Sequence, residues 1–147
     1  MISVEVKKTN PQAEVPQYMT VGSAGCDIKA CLGEPVILKP QERRAIPTGL
    51  SFGIPTGFEI QVRPRSGLSI KQGLTVINAP GTIDSDFRGE VMILIVNLGH
   101  EAVTIQHGDR IAQLVLQKVD QIKWKEVSSL SETQRGVGGF GSTGLRN

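Results

Sequence analysis

The sequence of 147 residues predicts an all-β fold, a jelly-roll-like β-barrel or sandwich with one short helix. Three observations support this prediction. Strand-like segments are short, turn residues (Gly, Pro, Asn and Asp) separate them about every eight to twelve positions, and no stretch repeats apolar residues at helical spacing. Many short strands with such turns are typical of sandwiches and barrels. The length is that of one domain.

Seven segments rich in β-branched and aromatic residues predict strands, in chain order at residues 2–6, 36–38, 58–62, 91–96, 103–105, 111–116 and 122–124. Residues 66–73 predict a helix of about two turns, because Ser66 can cap its start and Gly73 can end it. Trp124 lies on the last predicted strand, so we expect it in the core or at an interface.

Composition excludes several functional classes. The chain has 16 Lys and Arg residues against 14 Asp and Glu residues, with no long run of either sign, which argues against a nucleic-acid partner. No segment approaches the roughly 18 apolar residues of a membrane helix, so we expect no membrane association. The first eight residues alternate like a strand instead of forming a secretory signal, which favours the cytoplasm or another reducing compartment.

Cysteine and histidine spacing gives no metal site. Four residues separate Cys26 from Cys31, and no other Cys or His lies nearby to complete a zinc site, so we expect both to be small buried residues that behave as apolar ones. His100 and His107 have no acidic partners at ligand spacing. We expect them to be exposed or to contribute to packing.

The composition changes after Ser131, where the chain becomes rich in glycine and poor in apolar residues. Such a segment cannot bury enough apolar surface to offset its ordering entropy of about 1–2 kcal/mol per residue. We therefore expect a β-domain at residues 1–131 and a flexible C-terminal flap at residues 132–147. Its glycines would let successive N–H groups converge on anionic oxygens of a ligand. A frayed tail without function is the alternative.

Five segments, at residues 24–28, 64–69, 78–89, 108–113 and 135–144, concentrate Gly, Asp, Arg and Ser. In order and content they resemble the five sequence blocks of the trimeric dUTPase family, over nearly the whole chain. The most specific is Arg-Gly-Val-Gly-Gly-Phe-Gly-Ser-Thr-Gly at 135–144, followed by Gly-Thr-Ile-Asp-Ser-Asp-Phe-Arg-Gly at 81–89; the least specific is Ala-Gly-Cys-Asp at 24–27. The resemblance implies hydrolysis of dUTP to dUMP and pyrophosphate. That reaction limits uracil incorporation into DNA and supplies dUMP for thymidylate synthesis.

The resemblance also assigns a catalytic residue, Asp84. Hydrolysis of a phosphoanhydride by water requires a base within hydrogen-bonding distance of that water, and an exposed carboxylate is suitable. Asp84 corresponds to the family's aspartate, which activates water for attack on the α-phosphate. Alone, Asp84-Ser85-Asp86 would be interpreted as a polar hairpin tip. Asp86 does not correspond to the base, and we expect a structural role for it.

Recognition of the base and sugar is assigned to the same block, which the resemblance describes as a β-hairpin. Asn78 would hold the polar edge of uracil, since an amide offers both a donor and an acceptor. Gly81 and Thr82 belong to the same substrate-binding group. Phe87 stands where the family more often has tyrosine beneath the deoxyribose, so steric exclusion of UTP is expected to survive the loss of the hydroxyl. A core phenylalanine is the alternative for Phe87.

The remaining assignments concern the triphosphate. Asp27 and Arg110 would support the site's arginines, although Arg110 could also form a plain surface ion pair. Arg135 would contact the terminal phosphate, and Phe140 would stack on the uracil. The other phosphate-binding or flap residues are Arg65, Ser66, Gly67, Gln113, Gly141, Ser142 and Thr143.

The family's cofactor and assembly follow from the resemblance as well. Mg²⁺ would be held by the substrate's phosphate oxygens and by waters, without protein ligands. The chain would form a homotrimer with shared active sites. One chain would supply the first, second and fourth blocks, a second chain the third block, and the remaining chain its tail.

Three alternatives remain at this point. A dCTP deaminase shares the fold and several blocks, but its relatives lack the glycine-rich flap. A nucleotide-gated binding module would use the same blocks without needing a carboxylate at the attacking water. A purely structural β-protein leaves the five blocks unexplained.

Overall fold

The computed structural model describes residues 1–139. Within this range the protein has eleven strands and one helix, so the prediction of a mostly β protein with one short helix is confirmed. The strands are β1 (Glu5–Lys8), β2 (Cys26–Lys29), β3 (Val36–Leu38), β4 (Arg43–Pro47), β5 (Leu50–Gly53), β6 (Phe58–Arg63), β7 (Leu74–Val76), β8 (Gly81–Ile83), β9 (Met92–Asn97), β10 (Val103–Ile105) and β11 (Arg110–Lys118). The helix, α1, spans Ser66–Gln72. It is too short to cross a membrane, and the described residues include no other helix that could.

The strands form four antiparallel sheets, with the orders β2-β11-β6-β8, β4-β9-β7, β1-β5 and β10-β3. Among residues 1–139 these sheets do not join into a closed barrel, so the barrel alternative of the prediction is wrong. All described strands except β11 have only three to six residues, and no two consecutive strands belong to the same sheet. The sheets therefore meet mainly through their side chains and not through continuous backbone pairing.

One hydrophobic core draws on all four sheets. Ile28, Leu38, Leu50, Ile93 and Ile105 are each at most 2% exposed, and they come from β2, β3, β5, β9 and β10. Within the described range, the last residue that packs in or against this core is Leu116, on β11. The segment that follows β11 therefore adds no buried side chain to it.

The predicted strands at residues 36–38, 58–62 and 103–105 are confirmed, and those at 2–6, 91–96 and 111–116 are offset or extended by one to three residues. Five strands were missed: β2, β4, β5, β7 and β8. The predicted strand at residues 122–124 is wrong, because the chain there has no pairing partner within residues 1–139. Trp124 is 85% exposed in this chain, so it is not a core residue.

The short helix has the predicted position but not the predicted start. Arg65 is its N-cap, without a side-chain cap, and Ser66 already lies in the first turn, so capping by Ser66 is wrong. Gly73 ends the helix with a φ of 70°, as predicted. A β-carbon at Gly73 would lie only 2.4 Å from the backbone nitrogen of Gly99, so position 73 also requires the absence of a side chain.

Cysteine and histidine positions largely match the prediction. Cys31 is buried and Cys26 half-buried, neither forms a disulfide, and burial raises the pKa of both thiols. His100 is exposed. His107 is also exposed, and its Nδ1 accepts a hydrogen bond of 3.3 Å from the backbone N–H of Leu32.

Candidate functional site

Three charged residues from distant parts of the chain form one group, the arginine cluster (Asp27, Arg65 and Arg110). Arg65 Nε donates to Asp27 Oδ1 at 3.0 Å, and Arg110 Nη1 donates to Asp27 Oδ2 at 3.2 Å. Arg65 Nη1 also donates to the backbone oxygen of Arg110 at 3.0 Å. One carboxylate thus fixes two guanidinium groups that remain partly exposed. Two cations against one anion leave an excess positive charge that is suited to phosphate.

An irregularity in β11 brings Arg110 to this cluster. Gln113 pairs with Asp27 across the strands, whereas Arg110 pairs with Lys29, and the register shifts between Arg110 and Ala112. In a regular strand, residues three apart would point to opposite faces. The extra residue places Arg110 and Gln113 on the same face as Asp27, which is a common function of β-bulges near active sites.

Gln113 connects the cluster to the start of α1. Its Nε2 donates to the backbone oxygen of Pro64 at 3.0 Å. Its Oε1 faces Gly25, where an added β-carbon would lie 2.7 Å away. These contacts hold the loop between β6 and α1 in place. Ser66 and Gly67, in the first turn of α1, are exposed.

A second group of predicted residues surrounds a cleft of about 310 Å³. It lies where the chain crosses between the two largest sheets, because β7 and β9 belong to one sheet and β8 to the other. Among the described strands β8 pairs only with β6, so the expected hairpin at residues 78–89 is instead a crossover. The predicted site residues in the cleft wall are Asn78, Gly81, Thr82, Asp84 and Phe87.

The turn after β8 presents Asp84 to solvent. Asp84 is exposed, and its backbone oxygen accepts a 3.2 Å hydrogen bond from the N–H of Phe87. Arg88 Nη1 donates to the backbone oxygens of Ser85 and Phe87 at 2.6 and 2.9 Å. Phe87 is 45% exposed, so its alternative interpretation as a core residue is wrong. The turn therefore holds a carboxylate accessible to water beside an aromatic ring.

Glu90 is a residue of the cleft wall that the sequence did not reveal. It is half-buried; its Oε1 accepts from the N–H of Gly49 at 2.8 Å, and its Oε2 accepts from Thr9 Oγ1 at 3.2 Å. It thereby attaches the end of the third block to β5 and to the end of β1. The only indication of this role in the sequence was that Glu90 directly follows Gly89, the last residue of the third block.

The arginine cluster and the cleft share no residue within one chain. Arg135 is exposed and joins neither group: its Nε donates to the backbone oxygen of Gly138 at 2.9 Å. Four predicted flap residues lie outside the described residues, namely Phe140, Gly141, Ser142 and Thr143. The structure thus brings the predicted residues together as two half-sites.

Metal ligands do not converge in the described part of the chain. Within residues 1–139, no group of three or more His, Cys, Asp and Glu side chains could hold a metal ion. Asp27 is already engaged by two guanidinium groups. The half-site at the arginine cluster is thus suited to an anion.

Comparisons with known proteins identify the family of this chain. A family model described as dUTPase matches residues 11–144. The deoxyuridine 5'-triphosphate nucleotidohydrolase of Bdellovibrio bacteriovorus is 57% identical over 144 residues, which are 97% of each chain. A solved structure of the Staphylococcus bacteriophage 80alpha dUTPase with dUPNHPP is 30% identical, with a TM-score of 0.89 over 99% of this chain and 100% of that one.

A third relative links the fold to a metal ion. It is a mutant dUTPase from phage phi11 of S. aureus, 25% identical with a TM-score of 0.80 over 89% of this chain and 100% of that one, and described for its coordination of a structural Mg(II) ion. The family resemblance and the prediction of an enzyme are confirmed, since the match spans nearly the whole chain. This chain belongs to the dUTPase family.

Proposed function

We propose that this chain hydrolyses dUTP to dUMP and pyrophosphate. The observation that carries the proposal is the pair of half-sites: an arginine cluster suited to phosphates, and a cleft whose wall includes the exposed carboxylate of Asp84. Family membership supplies the substrate. In cells, the reaction would limit uracil incorporation into DNA and supply dUMP for thymidylate synthesis.

The chemical step that we propose uses Asp84 as general base. Asp84 accepts a proton from a water molecule as that water's oxygen bonds to the α-phosphorus. The bond from the α-phosphorus to the oxygen that bridges to the β-phosphate breaks, and pyrophosphate leaves. The exposure of Asp84 and the fixed turn around it support this role.

Nucleotide selectivity is assigned to the cleft. Asn78 presents an amide to the uracil edge, and the backbone at Gly81 and Thr82 forms the wall beside it. A mismatched base would leave a buried polar group unpaired, at a cost of about 1–3 kcal/mol. The ring of Phe87 would lie beneath the deoxyribose.

Phosphate binding is assigned to the arginine cluster and the first turn of α1. Arg65 and Arg110 are held in place by Asp27, and Ser66 and Gly67 directly follow Arg65 in the chain. Charge developing on the leaving pyrophosphate would be stabilised by groups that are already oriented. Gln113 would combine a phosphate contact with its hydrogen bond to Pro64.

A homotrimeric jelly roll is part of the proposal. One chain would supply the arginine cluster, a second the cleft, and the remaining chain Arg135 and the rest of a flap at residues 132–147. The absence of any shared residue between cluster and cleft supports this division. Exposed apolar side chains such as Leu94 in the cleft wall and Trp124 after β11 also favour contacts between chains.

Mg²⁺ is proposed as the cofactor. Bound through the nucleotide's phosphate oxygens and waters, it would neutralise phosphate charge. The described residues offer no ligand group for it, so the chain's own contribution would be to bind the phosphates through Arg65, Ser66 and Gly67.

The test is pyrophosphate release from dUTP, dTTP, dCTP and UTP, each with Mg²⁺ and at matched concentrations. We expect turnover of dUTP well above that of the other three. Release of ammonia from dCTP would instead indicate a deaminase. Binding of dUTP without hydrolysis would contradict the proposal and indicate a nucleotide-gated binding module.

A further inference from the structure

The ring of Phe87 lies with its far edge over the α-carbon of Gly89. A β-carbon at position 89 would be 2.7 Å from Cζ, 3.0 Å from Cε2 and 3.5 Å from Cε1 of that ring. Carbon atoms pack best at about 3.5–4.0 Å, so the two shorter distances are strongly repulsive. The ring can occupy this position only because residue 89 has no side chain.

The backbone that follows Gly89 is anchored to the neighbouring sheet. Glu90 Oε1 accepts a hydrogen bond of 2.8 Å from the N–H of Gly49. The N–H of Val91 donates to the backbone oxygen of Leu50, also at 2.8 Å. A methyl group at position 89 could not be accommodated by a backbone shift without weakening these bonds.

The backbone of Phe87 is fixed as well. Its N–H donates to the backbone oxygen of Asp84 at 3.2 Å, and its backbone oxygen accepts from Arg88 Nη1 at 2.9 Å. The remaining freedom lies in the side-chain torsions of Phe87. Since the conflicting atoms are at the far end of that side chain, an alanine at position 89 would displace the ring and leave the fold intact.

We infer that Gly89 is a specificity-determining positioning residue, which leaves room for the ring of Phe87 and so sets the wall that admits deoxyribose and excludes a 2′-hydroxyl. Phe87 lines the same cleft as Asn78 and Asp84, so a displaced ring changes the shape of the cleft. The inference rests on the proposed function, in which this ring lies beneath the sugar. It adds that sugar selectivity requires glycine at position 89.

The test compares kcat/KM for dUTP and UTP in the wild type and in Gly89→Ala. We expect the ratio of the two values to fall about tenfold, the size of effect that a misplaced methyl-sized group has in a substrate pocket. The melting temperature should stay close to that of the wild type. Gly33→Ala is the matched control, because Gly33 is exposed and a β-carbon there would meet no atom within 4 Å.

A double-mutant cycle shows whether Gly89 acts through the ring. Once Phe87→Ala has removed the ring, adding Gly89→Ala should leave the dUTP to UTP ratio unchanged. An unchanged ratio in the single variant Gly89→Ala would overturn the inference. So would an equal loss in the Phe87→Ala background, or failure of Gly89→Ala to fold.

A binding measurement separates this inference from the proposed function. Calorimetric titration with dUPNHPP and with the corresponding ribonucleotide analogue needs no turnover. Absence of dUTP hydrolysis by the wild type would refute the proposed function alone, and the inference would still predict a reduced preference for the deoxyribonucleotide in Gly89→Ala. Equal preference in wild type and variant would refute the inference alone.

Discussion

Arg65 and Asp27 are 38 residues apart in the sequence, yet Arg65 Nε donates to Asp27 Oδ1 at 3.0 Å. The other oxygen of the same carboxylate accepts from Arg110 at 3.2 Å. Asp27 is the more buried partner in both ion pairs, with a side-chain exposure of 19%. One acidic residue thus determines where two cationic groups lie.

Asp27→Asn should therefore weaken nucleotide binding more than catalysis. The substitution keeps the size of the side chain but removes the charge that orients both guanidinium groups. Losing charge-assisted hydrogen bonds worth about 1.5–3 kcal/mol predicts a rise in KM for dUTP of about tenfold or more. Steady-state kinetics measures it, with Glu42→Gln as control, because Glu42 pairs with Arg44 on β4, outside both half-sites. A KM equal to that of the wild type would contradict this role.

Asp84→Asn should lower turnover while leaving assembly and dUTP affinity nearly intact. An amide of the same shape cannot accept the proton of the attacking water, so we expect kcat to fall by about 10²–10⁴-fold. Rapid-quench or steady-state assays measure kcat, and titration with dUPNHPP measures affinity. Asp86→Asn, two residues along the same exposed turn, is the control and should stay close to wild type. Normal turnover in Asp84→Asn would refute its assignment as base.

Gly25→Ala should disturb the site through Gln113. The new β-carbon would lie 2.7 Å from Gln113 Oε1 and 3.2 Å from Val115 Cγ2, so the amide must leave its hydrogen bond to Pro64. Overpacking of this kind costs about 1–3 kcal/mol, and we expect kcat/KM for dUTP to fall with a small drop in melting temperature.

Gly22→Ala is the matched control, since a β-carbon at Gly22 would meet no atom within 4 Å. In a Gln113→Ala background, Gly25→Ala should have little further effect on kcat/KM. Equal losses in both backgrounds would show that Gly25 does not act through Gln113.

The sequence predicted best those strands whose own residues form a short run of strand-favouring side chains. The segments that became β3, β6 and β10 are rich in aliphatic and aromatic residues and follow turn residues, and their positions are confirmed. β7 begins directly after Gly73, which ends the helix, and β8 begins with Gly81, so neither segment stands apart from the helix end or turn beside it. Residues 122–124 do alternate, yet a strand also needs a partner, and none of the described strands pairs with them.

The family blocks supplied the candidate site residues and assigned the first, second and fourth blocks to one chain, but the contacts that join these residues were not visible in the sequence. The pairing of Asp27 with both arginines depends on the register shift before Ala112, and no local pattern in β11 reveals an extra residue. The hydrogen bond from Gly49 to Glu90 joins positions 41 residues apart. Contacts of this kind depend on how the sheets pack, so they become visible only in the folded chain.

Truncation after Ser131 tests the division into a β-domain and a flap. Within the described range no residue C-terminal to Leu116 packs in or against the hydrophobic core, and residues 119–137 are exposed and outside every strand. We therefore expect the truncated chain to keep its circular dichroism spectrum, its melting temperature and its oligomeric state by light scattering. Hydrolysis of dUTP should nevertheless be lost almost completely, because Arg135 and the glycine-rich block would no longer cover the phosphates and exclude water.

Restoration of activity by mixing the truncated chain with Asp84→Asn chains would show that a flap serves a site on another chain. An unfolded truncation product would instead give residues 132–147 a structural role, and a fully active one would leave them without a role in catalysis.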